Sequence, residues 1–265
     1  MMSSSLARIE LGPDDVDLWY VETSLGDDPE VTSRFERLLS PAEEIQRGRF
    51  VFEVDRRLYW ISHVLVRTVL ARYLGCGPGE LEFRPNRYGR PEVVSPAAWP
   101  RLRFNLSHTR GLACCGVTWS RDLGVDVEDA ARREVGPEVA EHFFSRTEVA
   151  ELRGRPRDQQ QQQFFRYWTL KEAYIKARGM GLSLPLDRFS FLLAPDQAAA
   201  TIEFAEGIVD NPACWQFWQQ TVASRYLVAA ALRCPPGCQP RFRLLSWHAA
   251  QNAVAPHDDR SILLG

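Results

Sequence analysis

The chain has 265 residues, 45% of them hydrophobic, enough to bury one large core or two modest ones. A formal charge of −2 supplies no basic field for holding nucleic acid nonspecifically. No stretch is apolar and long enough to span a bilayer, and Met1-Met-Ser-Ser-Ser-Leu-Ala-Arg8 lacks the basic region and apolar run of a secretory signal, so a soluble, cytoplasmic protein with no membrane and no nucleic-acid partner is expected.

In chain order, Asp17 to Val21 reads as a short strand, and Ser40-Pro-Ala-Glu-Glu44 starts a helix with a serine N-cap and proline at N1. Val51 to Leu74 forms a long helix with Leu58, Ile61, Leu65 and Val69 on its apolar face, stopped by Gly75-Cys-Gly-Pro-Gly79. Strands follow near Leu81–Phe83, Leu102–Leu106 and Leu112–Trp119, with a polar turn at Ser120-Arg-Asp122 before a strand around Asp126. The second half repeats the order: a helix ending at Arg178, then strands near Phe189–Leu193, Thr201–Phe204, Trp215–Thr221, Tyr226–Leu232 and Phe242–Trp247. Gln159–Gln163 reads as a polar loop or helix start without a chemical role, and the tail after Ala249 as frayed, with Ile262-Leu-Leu264 able to dock. Six cysteines (Cys76, Cys114, Cys115, Cys214, Cys234, Cys238) form no Cys-x-x-Cys pair and read as free thiols.

Gly124-Val-Asp-Val-Glu128 alternates valines with acids, so Asp126 and Glu128 share one face of their strand. Two carboxylates about 4 Å apart repel by roughly 4 kcal/mol at a protein surface. One of them is therefore protonated, a base sits nearby, or a hard cation bridges them. Trp168-Thr-Leu-Lys-Glu-Ala-Tyr-Ile-Lys176 supplies a third carboxylate and a lysine. At helical spacing Phe165, Trp168, Glu172, Ile175 and Lys176 fall on one arc, which places Glu172 and Lys176 on the inward face. An ion pair in an apolar stripe points to a site. Lys171 lies off the arc and reads as solvated, and Gly179 and Gly181 end the helix.

These two segments, about forty residues apart, resemble the paired signature of the 4′-phosphopantetheinyl transferases. The likeness is greatest to the large, monomeric, surfactin-synthetase-activating type that serves polyketide and non-ribosomal peptide synthases. Phe104-Asn-Leu-Ser-His108 resembles the family's Asn-x-Ser-His segment, Tyr88-Gly-Arg-Pro91 its Gly-Lys-Pro turn, and Arg49-Phe-Val-Phe52 with the following helix its coenzyme A-binding region. Gly179-Met-Gly-Leu-Ser-Leu-Pro-Leu186 matches the stretch after the lysine helix, so the resemblance runs from about Arg49 to Leu193.

The resemblance implies an α+β fold of two similar halves related by a pseudo-twofold, each a long helix on a mainly antiparallel sheet. The boundary is expected near Leu123: residues 1–123 bind coenzyme A, and 124–265 carry metal and catalytic acids. It also implies transfer of the 4′-phosphopantetheine arm of coenzyme A to a serine of apo acyl or peptidyl carrier proteins, with release of adenosine 3′,5′-bisphosphate. Asp126, Glu128 and Glu172 are the implied metal ligands, and their hard oxygens suit Mg²⁺ (or Mn²⁺) rather than zinc. Glu128, Lys176 and Glu172 are the catalytic candidates. Glu128 takes the serine proton directly or through water, and Lys176 stabilises or protonates the leaving oxygen. Arg49, Arg87, Arg90, Ser107, His108, Asp126 and Lys176 are the candidates for holding coenzyme A.

Taken alone, His108 reads as a hydrogen-bonded strand-end histidine; next to Ser107 it faces the opposite way, and no Gly-x-Ser-x-Gly elbow accompanies it. Two departures stand out: Arg90 replaces the turn's usual lysine, and Leu58 stands where one branch of the family carries a coenzyme-binding arginine. Gly111–Thr118 and Val135–Phe144, with Arg146, are the candidate carrier-docking segments. A coenzyme A pyrophosphatase and a non-catalytic coenzyme A-binding scaffold are the alternatives.

Overall fold

The structure is a computed structural model and describes residues 8–86, 89–95, 102–131, 135, 137–179, 184–194 and 200–248. Arg87, residues 180–183 and the tail beyond His248, with Ile262-Leu-Leu264, lie outside these.

Strand β1 (Asp15–Glu22) leads through α1 (Pro29–Phe35) and α2 (Pro41–Gly48) to the 22-residue helix α3 (Glu53–Leu74). Ser40 and Glu43 form the reciprocal cap of α2, which satisfies two otherwise orphaned backbone N–H groups. A hairpin of β2 (Glu82–Pro85) and β3 (Pro91–Ser95) precedes β4 (Leu102–Thr109), β5 (Leu112–Trp119) and β6 (Leu123–Asp129). Then come α4 (Pro137–Phe143), α5 (Arg146–Gly154) and a second 22-residue helix, α6 (Arg157–Arg178). Strands β7 (Phe189–Leu193), β8 (Ala200–Phe204), β9 (Trp215–Val222), β10 (Tyr226–Arg233) and β11 (Arg241–Ser246) complete the chain. The fold is α+β, with α3 packed on one sheet, ordered β11-β1-β5-β4, and α6 on another, ordered β6-β10-β9.

Side-chain alternation explains the layering. Val125 and Val127 of β6 join Val16 and Leu18 of β1, Leu112 and Cys114 of β5, and Val228 and Ala230 of β10 in a core between the two sheets. The intervening Asp126 and Glu128 therefore point to the α6 side, as the period of two requires. Gly124 makes this close: a Cβ there would lie 2.0 Å from the Ala173 carbonyl oxygen and 2.3 Å from the Ala177 nitrogen. Any side chain would push α6 off the acid-bearing strand.

Several expectations are corrected. Gln159–Gln163, read as a loop or a helix start, falls in the first turns of α6, where Gln163 is buried and donates to Glu151 at 2.9 Å. Leu112–Thr118 is an interior strand, buried at every position, and offers no docking surface. Strand β11 crosses the expected division near Leu123: it pairs in parallel with β1, with Arg243 bridging to the buried Asp17 at 2.6 Å. Lys171 is fully buried. Its ammonium contacts Glu148 at 2.8 Å and donates to the carbonyls of Leu186 at 2.7 Å and Phe189 at 2.6 Å. Among the described residues no helix is long and apolar enough to cross a membrane.

Candidate active site at the seam between the sheets

Strands β4 and β6 meet edge to edge through side chains. Asn105 accepts from the Val125 N–H at 2.8 Å, and Ser107 from the Val127 N–H at 3.3 Å. Both lie on one face of β4, two residues apart, so the Asn-x-Ser spacing stitches one half of the molecule to the acid-bearing strand of the other. Ser107 also donates to Asp126 Oδ1 at 3.1 Å. From α6, the Lys176 ammonium donates to Asp126 Oδ1 at 2.7 Å and to Ser107 Oγ at 2.9 Å. Three sequence-predicted residues thus form one network: Ser107, Asp126 and Lys176.

Asp126 is 4% exposed, and its Oδ2 is buried with no hydrogen-bond partner. Glu128 accepts from the Trp168 indole at 3.2 Å. Burial first, and then the Asp126 charge, push the Glu128 carboxyl up to about 7. Glu172 is raised for the same two reasons, against the pull of Lys176. Mutual repulsion among the three acids, expected from the sequence, is therefore present. Lys176 offsets it only in part, because two of its hydrogen bonds go to Ser107 and Asp126.

An orphaned carboxylate oxygen beside two carboxyls whose pKa values are raised by burial and by the Asp126 charge is a hard-oxygen donor set, and it fits a divalent cation of the magnesium class. As placed, with Asp126 Oδ1 turned to Lys176, no three acid, histidine or cysteine side chains among the described residues converge closely enough to hold an ion. Beside Glu128 and Trp168 opens a cavity of 540 Å³, walled by Val135, Val139, Phe164 and Phe165. Phe143, 41% exposed, packs edge-on against Trp168.

The coenzyme candidates divide. His108 remains accessible to solvent on the opposite side of β4 from Ser107. The protein around its ring, then the charges of Lys176 and His63, hold its pKa below the ordinary value. Arg90 closes the β2–β3 turn, its N–H bonded to Asn86, and reaches across to α6, where Nη1 donates to the Lys176 carbonyl at 3.4 Å. Its Nε is buried without a partner. Arg49 is exposed and donates only to Gln46, at 3.0 Å, among the described residues.

Comparison with known proteins decides the family. A family model for the 4′-phosphopantetheinyl transferase superfamily matches residues 122–231, and one for the 4′-phosphopantetheinyl transferase N-terminal region matches residues 29–117. The 4′-phosphopantetheinyl transferase HetI of Nostoc sp. is 34% identical over 244 residues, covering 91% of this chain and 95% of that one. This chain is a 4′-phosphopantetheinyl transferase. The transferase Sfp of Bacillus subtilis is 34% identical over 167 residues, 63% of this chain and 72% of its own. A third relative, also from Bacillus subtilis, is 36% identical over 60% of this chain and 68% of its own.

In this transferase the seam joins the two matched regions: Asn105 and Ser107 come from residues 29–117, and Val125, Asp126, Val127 and Lys176 from residues 122–231. Sequence reasoning overlooked Asn105, which anchors β6, and Trp168 as the donor that orients Glu128. A signal existed for each: Asn105 shares a strand face with Ser107, and Trp168 sits one helical turn before Glu172.

Proposed function

We propose that this transferase moves the 4′-phosphopantetheine arm of coenzyme A to the serine of an apo acyl or peptidyl carrier protein, with Mg²⁺ or Mn²⁺, releasing adenosine 3′,5′-bisphosphate. The observation that carries this reading is the cluster of Asp126, Glu128 and Glu172 with Lys176 on the seam. In balance, the serine oxygen forms a bond to the phosphorus on the pantetheine side of the pyrophosphate, and the bond from that phosphorus to the leaving bisphosphate breaks.

Asp126, Glu128 and Glu172 would hold the cation, which when bound neutralises charge on the pyrophosphate. Glu128 receives the serine proton, directly or through water. In the metal-free protein this carboxyl lies near 7, and the Trp168 hydrogen bond to Oε1 orients it. Lys176, 29% exposed, stabilises the oxygen of the departing phosphate. Because both halves of the cluster come from one chain, we write the reaction for a monomer.

Mass spectrometry of apo carrier proteins incubated with the enzyme, coenzyme A and Mg²⁺ tests the reading. The carrier gains one phosphopantetheine, EDTA abolishes the gain, and Mg²⁺ or Mn²⁺ restores it. Free 4′-phosphopantetheine with an unmodified carrier would make it a pyrophosphatase instead, and full turnover in metal-free buffer would remove the cation.

The raised carboxyls set a pH dependence for the metal-free protein. Glu128 titrates near 7 when folded, against an ordinary value of 4.5, so it adds stability below about 4.5 and loses that contribution as pH rises through about 7. Mg²⁺ among the acids reverses this loss. Its addition should raise the thermal midpoint more at about pH 8 than at about pH 5.5. Equal shifts at both would separate the cation from this cluster.

For the coenzyme, Arg90 is the assigned partner of the 3′-phosphate: its Nε has no hydrogen bond, and the turn fixes its backbone. Arg90→Ala should raise KM for coenzyme A far more than it lowers kcat, because the contact is remote from the reacting phosphorus. Dephospho-coenzyme A should then be a poor substrate for the parent and nearly equivalent to coenzyme A for the variant. A variant that still discriminates as the parent does would transfer the role to His108, Arg87 or Arg49.

A further inference from the structure

The glutamine-rich turn of α6, to which the chemistry above assigns nothing, surrounds a buried cation. Arg166 is 6% exposed, yet its hydrogen bonds go only to neutral amides, from Nε to Gln219 at 3.3 Å and from Nη1 to Gln163 at 3.4 Å. The nearby carboxylates are already engaged. Glu151 takes Arg155 at 2.5 Å, Gln163 and the Tyr167 hydroxyl, while Asp129 takes Arg225 at 2.6 Å. Among the described residues, three guanidinium groups therefore share these two carboxylates, and the one in no salt bridge is the most buried. Burial, and then the charge of Arg155, lower the Arg166 pKa by more than the Glu151 charge raises it. A buried charge without a partner is costly, which makes the vacant space beside it informative.

Arg166 lies in the wall of two cavities. One, of 310 Å³, is lined further by Gln162, Gln219, Gln220, Ser224 and Arg225. The other, of 300 Å³, is lined by Arg155, Gln159, Gln162 and Gln163. Neither shares a lining residue with the cavity beside Glu128 and Trp168. We propose that these paired cavities are an oxyanion-binding site of the phosphate class, built around Arg166 and separate from the catalytic seam. The guanidinium supplies the charge, and the side-chain amides of Gln162 and Gln220 and the Ser224 hydroxyl supply hydrogen-bond donors of adaptable direction. The hairpin turn at Ala223 and Ser224, both with φ near +50°, sets Ser224 and Arg225 at the rim.

The test is thermal unfolding of the full chain titrated with inorganic phosphate, against chloride at equal ionic strength. Phosphate should raise the midpoint saturably in the parent and in Arg90→Ala, and the apparent Kd should weaken at least tenfold in Arg166→Gln. Gln162→Trp, at an exposed helix position, fills the shared wall without removing the buried cation and should weaken binding as much, so the test stands even where Arg166→Gln fails to fold. No response in the parent, an unchanged Kd in Gln162→Trp, or loss of the response in Arg90→Ala would overturn the site, the last by assigning phosphate to the coenzyme seam. Transfer of phosphopantetheine is read separately, so failure here leaves the catalytic reading untouched.

Discussion

Lys176→Ala should lower turnover on a carrier protein by about 10²–10³-fold, and Glu172→Gln by a similar factor, equivalent to about 2.7–4 kcal/mol of transition-state stabilisation each. The lysine is held at 2.7 Å from Asp126 and 2.9 Å from Ser107, so its ammonium is positioned before substrate arrives and needs no reorganisation during the reaction. Glu172, one helical turn before it, keeps a raised carboxyl through burial and the Asp126 charge. Glutamine at 172 keeps the shape and removes the negative charge. Both side chains are only half-buried, so far-ultraviolet circular dichroism and the thermal midpoint should show the fold retained. The measurement is single-turnover transfer from coenzyme A at saturating cation. Rates within a few-fold of the parent in either variant would mean that the pair is ordinary helix surface, worth a few tenths of a kcal/mol.

Lys171→Met should destabilise the protein by about 3–5 kcal/mol, the range for breaking a buried ion pair by removal of one partner. All three ammonium donors of Lys171 are used, on Glu148, Leu186 and Phe189, and the group lies 4.3 Å from the centre of the Phe189 ring. Its removal leaves Glu148, 1% exposed, without a cation. Glu148 would keep hydrogen bonds from the Ser145 N–H at 2.9 Å and the Phe191 N–H at 2.9 Å, which soften the loss without supplying a charge. Urea unfolding measures this directly. A loss under about 1 kcal/mol would place the pair with exposed salt bridges. Because α6 carries Glu172 and Lys176 on the same turns, a preparation of this variant that remains folded should still show the kcat of the parent, which separates the structural lysine from the reacting one.

Most of the secondary structure is legible in the chain because it depends on neighbours in sequence. The reciprocal cap at Ser40 and Glu43, the stop at Gly75 with φ +66° and the αL end of α6 at Gly179 with φ +64° are local chemistry, and they occur where the residues predict them. Strand β3 and helices α1, α4 and α5 were not legible: at five to nine residues long, each repeats its period only about twice, which does not set it apart from a loop. Lys171 was misread for a related reason. A helical wheel divides α6 into inward and outward arcs, but from Gln163 onward α6 is enclosed on nearly all sides by its sheet, by α5 and by the β7–β8 hairpin, so little outward arc exists there. Such enclosure is a property of packing that periodicity does not encode.

By itself the sequence determined that Asp126 and Glu128 share a strand face and that Glu172 and Lys176 share a helix face, because the periods of two and 3.6 fix those relations within a segment. Only the tertiary structure decided that the two faces meet: Gly124 lets β6 approach the backbone of α6, and Asn105 and Ser107 then draw β4 against β6. The same holds for β11, which joins β1 across more than two hundred residues, and for the unpaired charge of Arg166. Contacts between residues distant in sequence arise from shape and burial over the whole chain, so no local pattern carries them.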